Sequence, residues 1–442
     1  MAKQTHEIRD PIHVFVRLTM EERKVVNSRP FQRLRHIHQL ALTYLVYPGA
    51  THRRFEHSLG VMELAARIYD VVTNPEVVSD EIKSLLPELN DRDKLRYWCR
   101  VLRVAALCHD VGHLPFSHAA EKELLPDGWD HERLSRILIE SPEMAALWNQ
   151  MTPPLRVDDI VKLALGPKKA RDLKFSVWET ILSEIIVGDA VGADRIDYLL
   201  RDSHHAGVAY GRFDHYRLVD TLRILPSRRT GKGEQPAEPA LGVEEGGIQS
   251  AEALLLARYL MYSQVYMHPV RRIYDIHLKD FLFEWLPGGR FPTDAPGHLT
   301  MTDNEVTSAM YTAAFDAGRP GHTHAKRLMC REHFKLLYQR HPDDLARNLE
   351  AVDRVYEAIS GRYGAENVRR DQYPPKGGLA DFPVRVKDGR IASAMSMSET
   401  LRRLPPVVLD SVYINPGLVD EAKQWLDANR DMIITRKAEE AV

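Results

Sequence analysis

The sequence predicts a mainly α-helical fold with small β-hairpins and a mixed α/β lobe toward the C-terminal end. Apolar residues recur at helical spacing through most of the first 290 residues. Alternating apolar residues beside turn residues, in IRDPIHVFVRLTM and again around residues 223–245, predict hairpins. Beyond residue 300, strand-like pieces such as FPVRV and VVLDSVYI precede a last helix, and these pieces predict the mixed lobe.

The predicted elements follow in order along the chain. After the N-terminal hairpin, an apolar stripe predicts a helix from Glu21 to Tyr44, which Pro30 starts or breaks. Residues Pro226–Glu238 are polar and contain Gly and Pro, so they are predicted to form the tip of a hairpin insertion at about 223–245. Further helices are predicted at Phe55–Val72, Lys94–Val111, His131–Ile139 with Asp130 as N-cap, Phe175–Leu200, Ala251–Leu286 and Pro416–Arg430.

The length of 442 residues allows two or three folding units. We expect a core of residues 1–290, including the hairpin insertion, and a C-terminal lobe of residues 291–442 that serves oligomerisation or regulation.

The composition is that of an ordinary soluble globular protein, with 44% hydrophobic and 28% charged residues. A formal net charge of −2 provides no overall basic field, so nucleic acid is not a favoured partner. The three cysteines are too few and too scattered for a metal site or a disulfide framework. Because the polar N-terminal segment is no signal peptide and no apolar run reaches about 18 residues, we expect a cytoplasmic protein without membrane contact.

Four residues form a candidate metal-ligand set: His57, the pair His109–Asp110, and Asp194. Imidazole nitrogen and carboxylate oxygen suit one or two divalent ions, namely Mg, Mn, Fe, Ni or Zn, and such ions handle phosphate. The alternative is a hydrogen-bonded His–Asp pair in the core. A zincin site is excluded, because HDVGH lacks the glutamate of HExxH.

A second group supplies acid–base candidates. Gly112 and Pro115 bend the chain after the HD pair, so the following histidines are expected to fold back over the metal end. A carboxylate raises the pKa of a neighbouring imidazole, and the expected pair is His118 with Glu121 on the next turn. The alternative for any one of these histidines is a solvated loop position. The predicted catalytic residues are His113, His118, Glu121 and His131.

A third group could hold a nucleotide. Arg54, next to Arg53, could clamp phosphate. Tyr198 and Asp202 lie one helical turn apart after Asp194 and could contact a sugar. Helical spacing also joins Arg258, Tyr262 and Tyr266, for which core packing of the tyrosines is the alternative.

These motifs, in this order, resemble the HD-domain superfamily, and within it the dNTP triphosphohydrolases, that is, bacterial dGTPases and vertebrate sterile-alpha-motif/HD-domain enzymes. The resemblance covers about residues 10–272 and implies a helical core of the HD-domain type. No sterile-alpha-motif domain is expected before this core. The motifs that carry the resemblance are DPIH (10–13), FQRLRHIHQL (31–40), YPGATHRRFEHSLG (47–60), HDVGHLPFSH (109–118) and DRIDYLLRD (194–202).

The resemblance implies a role for each candidate. The four metal ligands keep that role, and His113, His118 and His131 surround the α-phosphate, with Glu121 as the acidic partner of the catalytic histidine. Tyr262 stands where the vertebrate enzyme has a histidine, and Asn27 stands where it has the aspartate that selects a guanine activator. The implied substrate contacts are Gln39 and Leu40 beside base and sugar, Arg54 and Arg195 at phosphate, Tyr198 and Asp202 at the deoxyribose, Arg258 at the γ-phosphate, and Tyr266 against sugar and base.

The expected activity is metal-dependent hydrolysis of a dNTP to deoxynucleoside and triphosphate, by metal-activated water attack on the α-phosphorus. Expected partners are the dNTP substrate, a nucleotide activator, and further copies of the chain in a dimer or tetramer. Two alternatives stay open. One is another HD phosphohydrolase, either a nucleotidase or a single-strand nuclease or phosphodiesterase. The other is a nucleotide-sensing scaffold with a vestigial site.

Overall fold

The computed structural model describes residues 5–117, 121–227, 238–373 and 381–435. Helices dominate these residues and confirm the mainly α fold class. In chain order they are α1 (Met20–Val26), α2 (Arg29–Arg33), α3 (Arg54–Val72), α4 (Asp80–Leu85), α5 (Arg92–Cys108), α6 (Glu121–Leu124), α7 (His131–Ile139), α8 (Pro142–Asn149), α9 (Val157–Leu165), α10 (Val177–Val187), α11 (Ala193–Ala206), α12 (His215–Thr221), α13 (Ile248–Met261), α14 (Pro269–Trp285), α15 (Ala295–Leu299), α16 (Asp303–Ala314), α17 (His322–Met329), α18 (Pro342–Arg347), α19 (Ala351–Tyr363), α20 (Ala394–Met397), α21 (Glu399–Arg403) and α22 (Val419–Ile434).

Among the described residues the strands form three small sheets, two of which contain the predicted hairpins. They are β1 (Thr5–Asp10), β2 (Val14–Thr19), β3 (Leu222–Ser227), β4 (Glu238–Glu244), β5 (Lys335–Gln339), β6 (Val368–Tyr373), β7 (Pro383–Arg385), β8 (Ile391–Ser393) and β9 (Leu409–Ile414). β1 and β2 form the N-terminal hairpin, and β3 pairs with β4 in the predicted insertion, Leu222 opposite Val243. That second sheet has the order β3-β4-β7-β8, in which β4 and β7 are parallel, and the third has the antiparallel order β5-β9-β6. The predicted hairpin tip falls largely outside the described residues.

The chain folds into two compact units, each assembled from three segments. The first consists of Met1–Met261, Pro292–Asn304 and Gly378–Pro405. The second consists of Tyr262–Phe291, Glu305–Gly377 and Pro406–Val442. The functional division at about residue 290 stays a prediction.

Helices α3 and α5 pack against each other in the core of the first unit. Asp91 begins α5 by accepting hydrogen bonds from the amides of Asp93 and Lys94, and the last two turns of the helix, from Val101 to Cys108, are almost entirely buried. Each buried aliphatic side chain contributes about 1.5–3 kcal/mol to the free energy of folding. The predicted helix is confirmed, but it ends one residue before the HD pair.

Three predicted helical stretches are interrupted, at Glu21–Tyr44, Phe175–Leu200 and Ala251–Leu286. The first helix within Glu21–Tyr44 ends at Val26, because Asn27 caps it and Ser28 is extended. The next helix, α2, begins at Arg29 with Pro30 in its first turn, near the start or break that the sequence predicted. The helix predicted at Phe175–Leu200 divides into α10 and α11.

Glycine causes this second interruption. Residues 188–192 turn so tightly that a Cβ on Gly192 would lie 2.7 Å from the amide nitrogen of Gly188. Asp194 therefore lies in the first turn of α11, not near the end of a long helix. Similarly, the stretch Ala251–Leu286 contains a π-helical turn at Tyr262–Tyr266 between α13 and α14, which starts at Pro269.

The second unit has its own core. Its three-stranded sheet packs with α19 and α22 around a buried cluster that includes Val355, Ile359, Val412 and Leu426. Nowhere in the described part of the chain does a helix have the length and apolar character needed to cross a bilayer.

Candidate metal centre

The four predicted metal ligands lie together in the first unit. His57 is on α3, His109 caps α5 and Asp110 follows it, while Asp194 comes from α11. His57 Nε2 is 3.1 Å from Asp194 Oδ1 and 3.8 Å from Asp110 Oδ2. His109 Nε2 is 3.6 Å from Asp194 Oδ1 and 3.5 Å from Asp110 Oδ1. Two imidazoles and two carboxylates thus surround one small volume.

Hydrogen bonds fix the orientation of both imidazoles. His57 Nδ1 donates to Asp197 Oδ2 at 2.8 Å, and His109 Nδ1 donates to the carbonyl of Ala106 at 2.8 Å. Each ring therefore keeps its Nε2 lone pair for the centre. Both Nε2 atoms are buried and have no hydrogen-bond partner among the described residues. Buried lone pairs that face carboxylates are the arrangement that a cation satisfies, so these residues can hold a divalent metal ion.

The electric field at the centre favours positive charge. Burial lowers the pKa of His57, but the neighbouring carboxylates of Asp194 and Asp197 outweigh it and raise the pKa to about 10. The pKa of Asp194 is lowered despite burial, because His109 and His57 stabilise the carboxylate. A site that stabilises imidazolium also stabilises a bound cation.

A buried network behind His57 was not assigned from the sequence. Asp197 accepts from His57, from His13 Nε2 at 2.7 Å, and from Arg201 Nε at 2.9 Å. Arg201 also donates to Asp10 Oδ2 at 2.9 Å. The motifs DPIH and DRIDYLLRD supply all these residues, and the spacing of Asp194 and Asp197, three apart on one helix, was the signal that could have identified Asp197.

Two of the predicted catalytic histidines stack beside the centre. The rings of His113 and His131 are 3.9 Å apart, and His113 Nε2 lies 3.4 Å from Asp110 Oδ1. Glu121 Oε1 accepts from His131 Nδ1 at 2.7 Å and from the His131 amide at 2.6 Å. His118 lies outside the described residues. Among the described residues, Glu121 pairs with His131. The predicted pairing of Glu121 with His118 stays a prediction.

These two histidines differ in charge. Burial, Arg54 and His131 hold the pKa of His113 well below its usual range. Burial also lowers the pKa of His131, but the hydrogen bond and charge of Glu121 outweigh it, so the net pKa is raised. One ring is therefore neutral and its neighbour is the better proton donor.

Arg54 reaches the centre from the start of α3. Its Nη1 contacts Asp110 Oδ2, and its Nε donates to Ser117 Oγ at 3.0 Å. The side chain is buried, so its position is fixed by these partners. An arginine held beside a carboxylate of the candidate metal centre can stabilise a phosphoryl oxygen.

The other predicted substrate residues are distributed over both units. Asp194, Tyr198 and Asp202 follow one face of α11, and Asp202 Oδ1 accepts from His52 Nε2 at 2.8 Å. In the first unit, the remaining ones are Gln39 and Leu40 between α2 and α3, Arg195 in the first turn of α11, and Arg258 on α13. Tyr262 and Tyr266 belong to the second unit, where their rings are 5.0 Å apart.

A cavity of about 510 Å³ opens onto the centre within the first unit. Its lining includes His109, Asp110, Asp194 and His131, together with the ends of α9 and α10 and parts of β4 and β7. The predicted substrate residues are not part of its described lining. The volume is in the range of small-molecule sites.

Comparison with known proteins agrees with this arrangement. The HD domain family matches residues 54–166, and the HD associated region matches residues 213–372. An uncharacterized protein of Methanocaldococcus jannaschii is 39% identical over 272 residues, which are 62% of this chain and 48% of the relative. Deoxynucleoside triphosphate triphosphohydrolase SAMHD1 of Gallus gallus is 27% identical over 419 residues, or 85% of this chain and 62% of the relative. The chain thus spans about half to three fifths of these curated relatives.

A solved structure extends the similarity to nearly the whole chain. The crystal structure of a hypothetical protein from Aquifex aeolicus has a TM-score of 0.77 and 31% sequence identity, and it covers 96% of this chain and 100% of its own. The matched HD region includes three of the four converging candidate ligands, namely His57, His109 and Asp110. The chain therefore belongs to the HD-domain family.

Proposed function

We propose that this HD-domain hydrolase is a metal-dependent dNTP triphosphohydrolase, which converts a dNTP to the deoxynucleoside and triphosphate. The convergence of two imidazole Nε2 atoms and two carboxylates, with Arg54 beside them, carries the proposal. The similarity to proteins named for this activity supports the choice of substrate.

The metal ligands in this proposal are His57, His109, Asp110 and Asp194. A divalent metal there would lower the pKa of a bound water and polarise a phosphoryl oxygen. Arg54 would stabilise negative charge on the α-phosphoryl group, because Asp110 and Ser117 hold its guanidinium in place.

The proton for the leaving 5′-oxygen would come from His131, whose pKa is raised, or from His118. Glu121 would keep His131 protonated and oriented through its Nδ1 contact. His113, held neutral, would pack against His131 and would not serve as the acid. Tyr198 and Asp202 would face the deoxyribose, with the other substrate contacts as implied by the resemblance.

A product assay tests this proposal. Each of the four dNTPs, and their mixture, is incubated with Mn²⁺ or Mg²⁺, and the products are separated by ion-exchange chromatography. We expect deoxynucleoside and triphosphate in equal amounts. Release of monophosphate with pyrophosphate, or of diphosphate with phosphate, would show a different HD phosphohydrolase.

The matched variants are Asp110→Ala and Asp316→Ala. Asp110→Ala removes a proposed ligand, and we expect turnover to fall about 100-fold or more. Asp316 is an exposed residue of the second unit, and its variant should match the wild type. Equal turnover in both variants contradicts the assignment of the centre.

The chain is further proposed to act as a homo-oligomer, a dimer or a tetramer, with a nucleotide activator. Sedimentation velocity with and without dNTPs measures the assembly. Turnover of single dNTPs at the rate of the mixture, together with a sedimentation profile that dNTPs leave unchanged, would argue against an activator.

A further inference from the structure

Asp303 is a buried carboxylate at the start of α16 and is not one of the residues that form the candidate metal centre. Its exposed fraction is 1%, and it belongs to the segment Pro292–Asn304 of the first unit. It accepts three short hydrogen bonds, from the amide of Phe116 at 2.7 Å, the amide of His38 at 2.7 Å and His38 Nδ1 at 2.6 Å. A buried carboxylate needs such partners, and charge-assisted bonds of this kind are the strong ones.

The first partner lies in a strained turn. Phe116 and Ser117 have φ values of 54° and 58°, in the left-handed region that favours glycine. Non-glycine residues stay there only where the surroundings hold them, at a cost of about 1–3 kcal/mol each. The turn directly follows the HD pair and His113, and it leads into His118.

The second partner lies in the segment that carries Gln39 and Leu40. His38 pairs with Arg53 in an isolated β-bridge, and the amide of Gln39 donates to the carbonyl of His52 at 3.0 Å. The His38 ring stacks on Tyr44 at 4.9 Å. Ser117 Oγ, itself bonded to Arg54, also donates to the His38 carbonyl at 3.0 Å.

A second residue of the same region supports this link. Arg33 Nε donates to the carbonyl of Met301 at 2.9 Å, and Arg33 Nη1 donates to the carbonyl of His113 at 2.8 Å. The segment Pro292–Asn304 therefore contacts the turn His113–Ser117 at two points: Arg33 links Met301 to His113, and Asp303 accepts from Phe116.

We infer that Asp303 is a positioning residue. It holds two parts of the chain in fixed positions beside the candidate metal centre, namely the strained turn at Phe116 and Ser117 and the segment His38–Leu40. It acts through Phe116 and His38 and does not itself contact the reacting atoms. The inference rests on the proposed function for its effect on turnover, whereas its effect on the backbone is independent of the substrate.

The experiment uses the full-length protein with Asp303→Ala, which removes all three bonds, and measures metal content, dNTP turnover and amide hydrogen exchange. We expect unchanged metal content, a fall in kcat of about tenfold or more, and faster exchange at residues 114–117. If Asp303→Ala does not fold, Asp303→Asn keeps the shape but places an NH₂ group against an N–H donor. His38→Phe, which removes only the side-chain bond, should raise KM and leave kcat within about threefold.

Asp294→Ala is the matched control, since Asp294 caps α15 in the same segment by accepting from the amide of Gly297 at 2.8 Å. It should lower Tm without changing kcat or KM. A folded Asp303→Ala variant with wild-type kcat, or with wild-type exchange at residues 114–117, overturns the inference. If the wild type releases no triphosphate while amide exchange still rises in Asp303→Ala, the proposed function fails, but the role of Asp303 in holding the turn is supported.

Discussion

At the residue scale, the proposed metal ligands depend on the side chains behind them. Asp197 bonds His57 on the side away from the centre and is itself held by His13 and Arg201. The carboxylate fixes the tautomer of His57 and makes its Nε2 a better electron-pair donor.

Asp197→Asn should therefore weaken metal binding. An asparagine can replace the shape but not the charge, and we expect about 10- to 100-fold lower affinity for Mn²⁺, measured by metal titration of the apoprotein. Asp189→Asn, at an exposed residue between α10 and α11, is the control. Wild-type affinity in Asp197→Asn would show that Asp197 only stabilises the fold.

The Glu121–His131 pair predicts a pH effect. Because Glu121 contributes to the raised pKa of His131, the imidazole stays protonated to higher pH than an ordinary histidine. If His131 is the acid, kcat falls as the pH rises through that pKa. In Glu121→Gln the pKa drops, so the fall in kcat should begin at lower pH. Glu123→Gln, exposed on the same helix, should keep the wild-type profile.

At the element scale, the contact between α3 and α11 requires a glycine. A Cβ on Gly60 would overlap Asp197 Oδ1 and Arg201 Nη2. The two helices can therefore approach closely enough for His57 and Asp194 to share one centre.

Gly60→Ala should separate these helices. We expect a loss of about 1–3 kcal/mol in the free energy of unfolding, measured by urea denaturation, together with weaker metal binding. Gly361→Ala in α19 is the opposite control, because nothing lies within 4 Å of the added Cβ. That variant should gain about 0.5–1 kcal/mol, since alanine favours a helix more than glycine does. Unchanged metal affinity in Gly60→Ala would rule out the proposed role of close packing.

Several helices and the N-terminal hairpin could be predicted from local sequence patterns alone. The N-terminal hairpin, α3, α5 and α7 were predicted because their apolar periodicity and caps are local, as with Asp130 at the start of α7. The sequence placed the break inside Glu21–Tyr44 at Pro30, but the first helix already ends at Val26, before Asn27. The break inside Phe175–Leu200 was missed because apolar residues continue across Gly188. Polar caps and glycines decided those boundaries against the periodicity.

At the scale of the whole molecule, the mainly α fold and HD-domain membership could be predicted, since ordered motifs carry them. The convergence of His57, His109, Asp110 and Asp194 followed from the same motifs, although their roles stay proposals. Asp303 could not be predicted, because 187 residues separate it from Phe116 and no local pattern links the two. Contacts of this kind depend on how distant segments return to one unit.

The segmented composition of the first unit also affects how the protein is made. Its four-stranded sheet places β7 beside β4, and residues 384 and 385 pair there with residues 243 and 244. During synthesis on the ribosome, the edge of β4 stays unpaired until about 140 further residues have been added, because only then is β7 present. The unit that contains the candidate metal centre therefore cannot complete its folding until the segment Gly378–Pro405 has been synthesised, and a chaperone that shields this edge would protect the nascent chain.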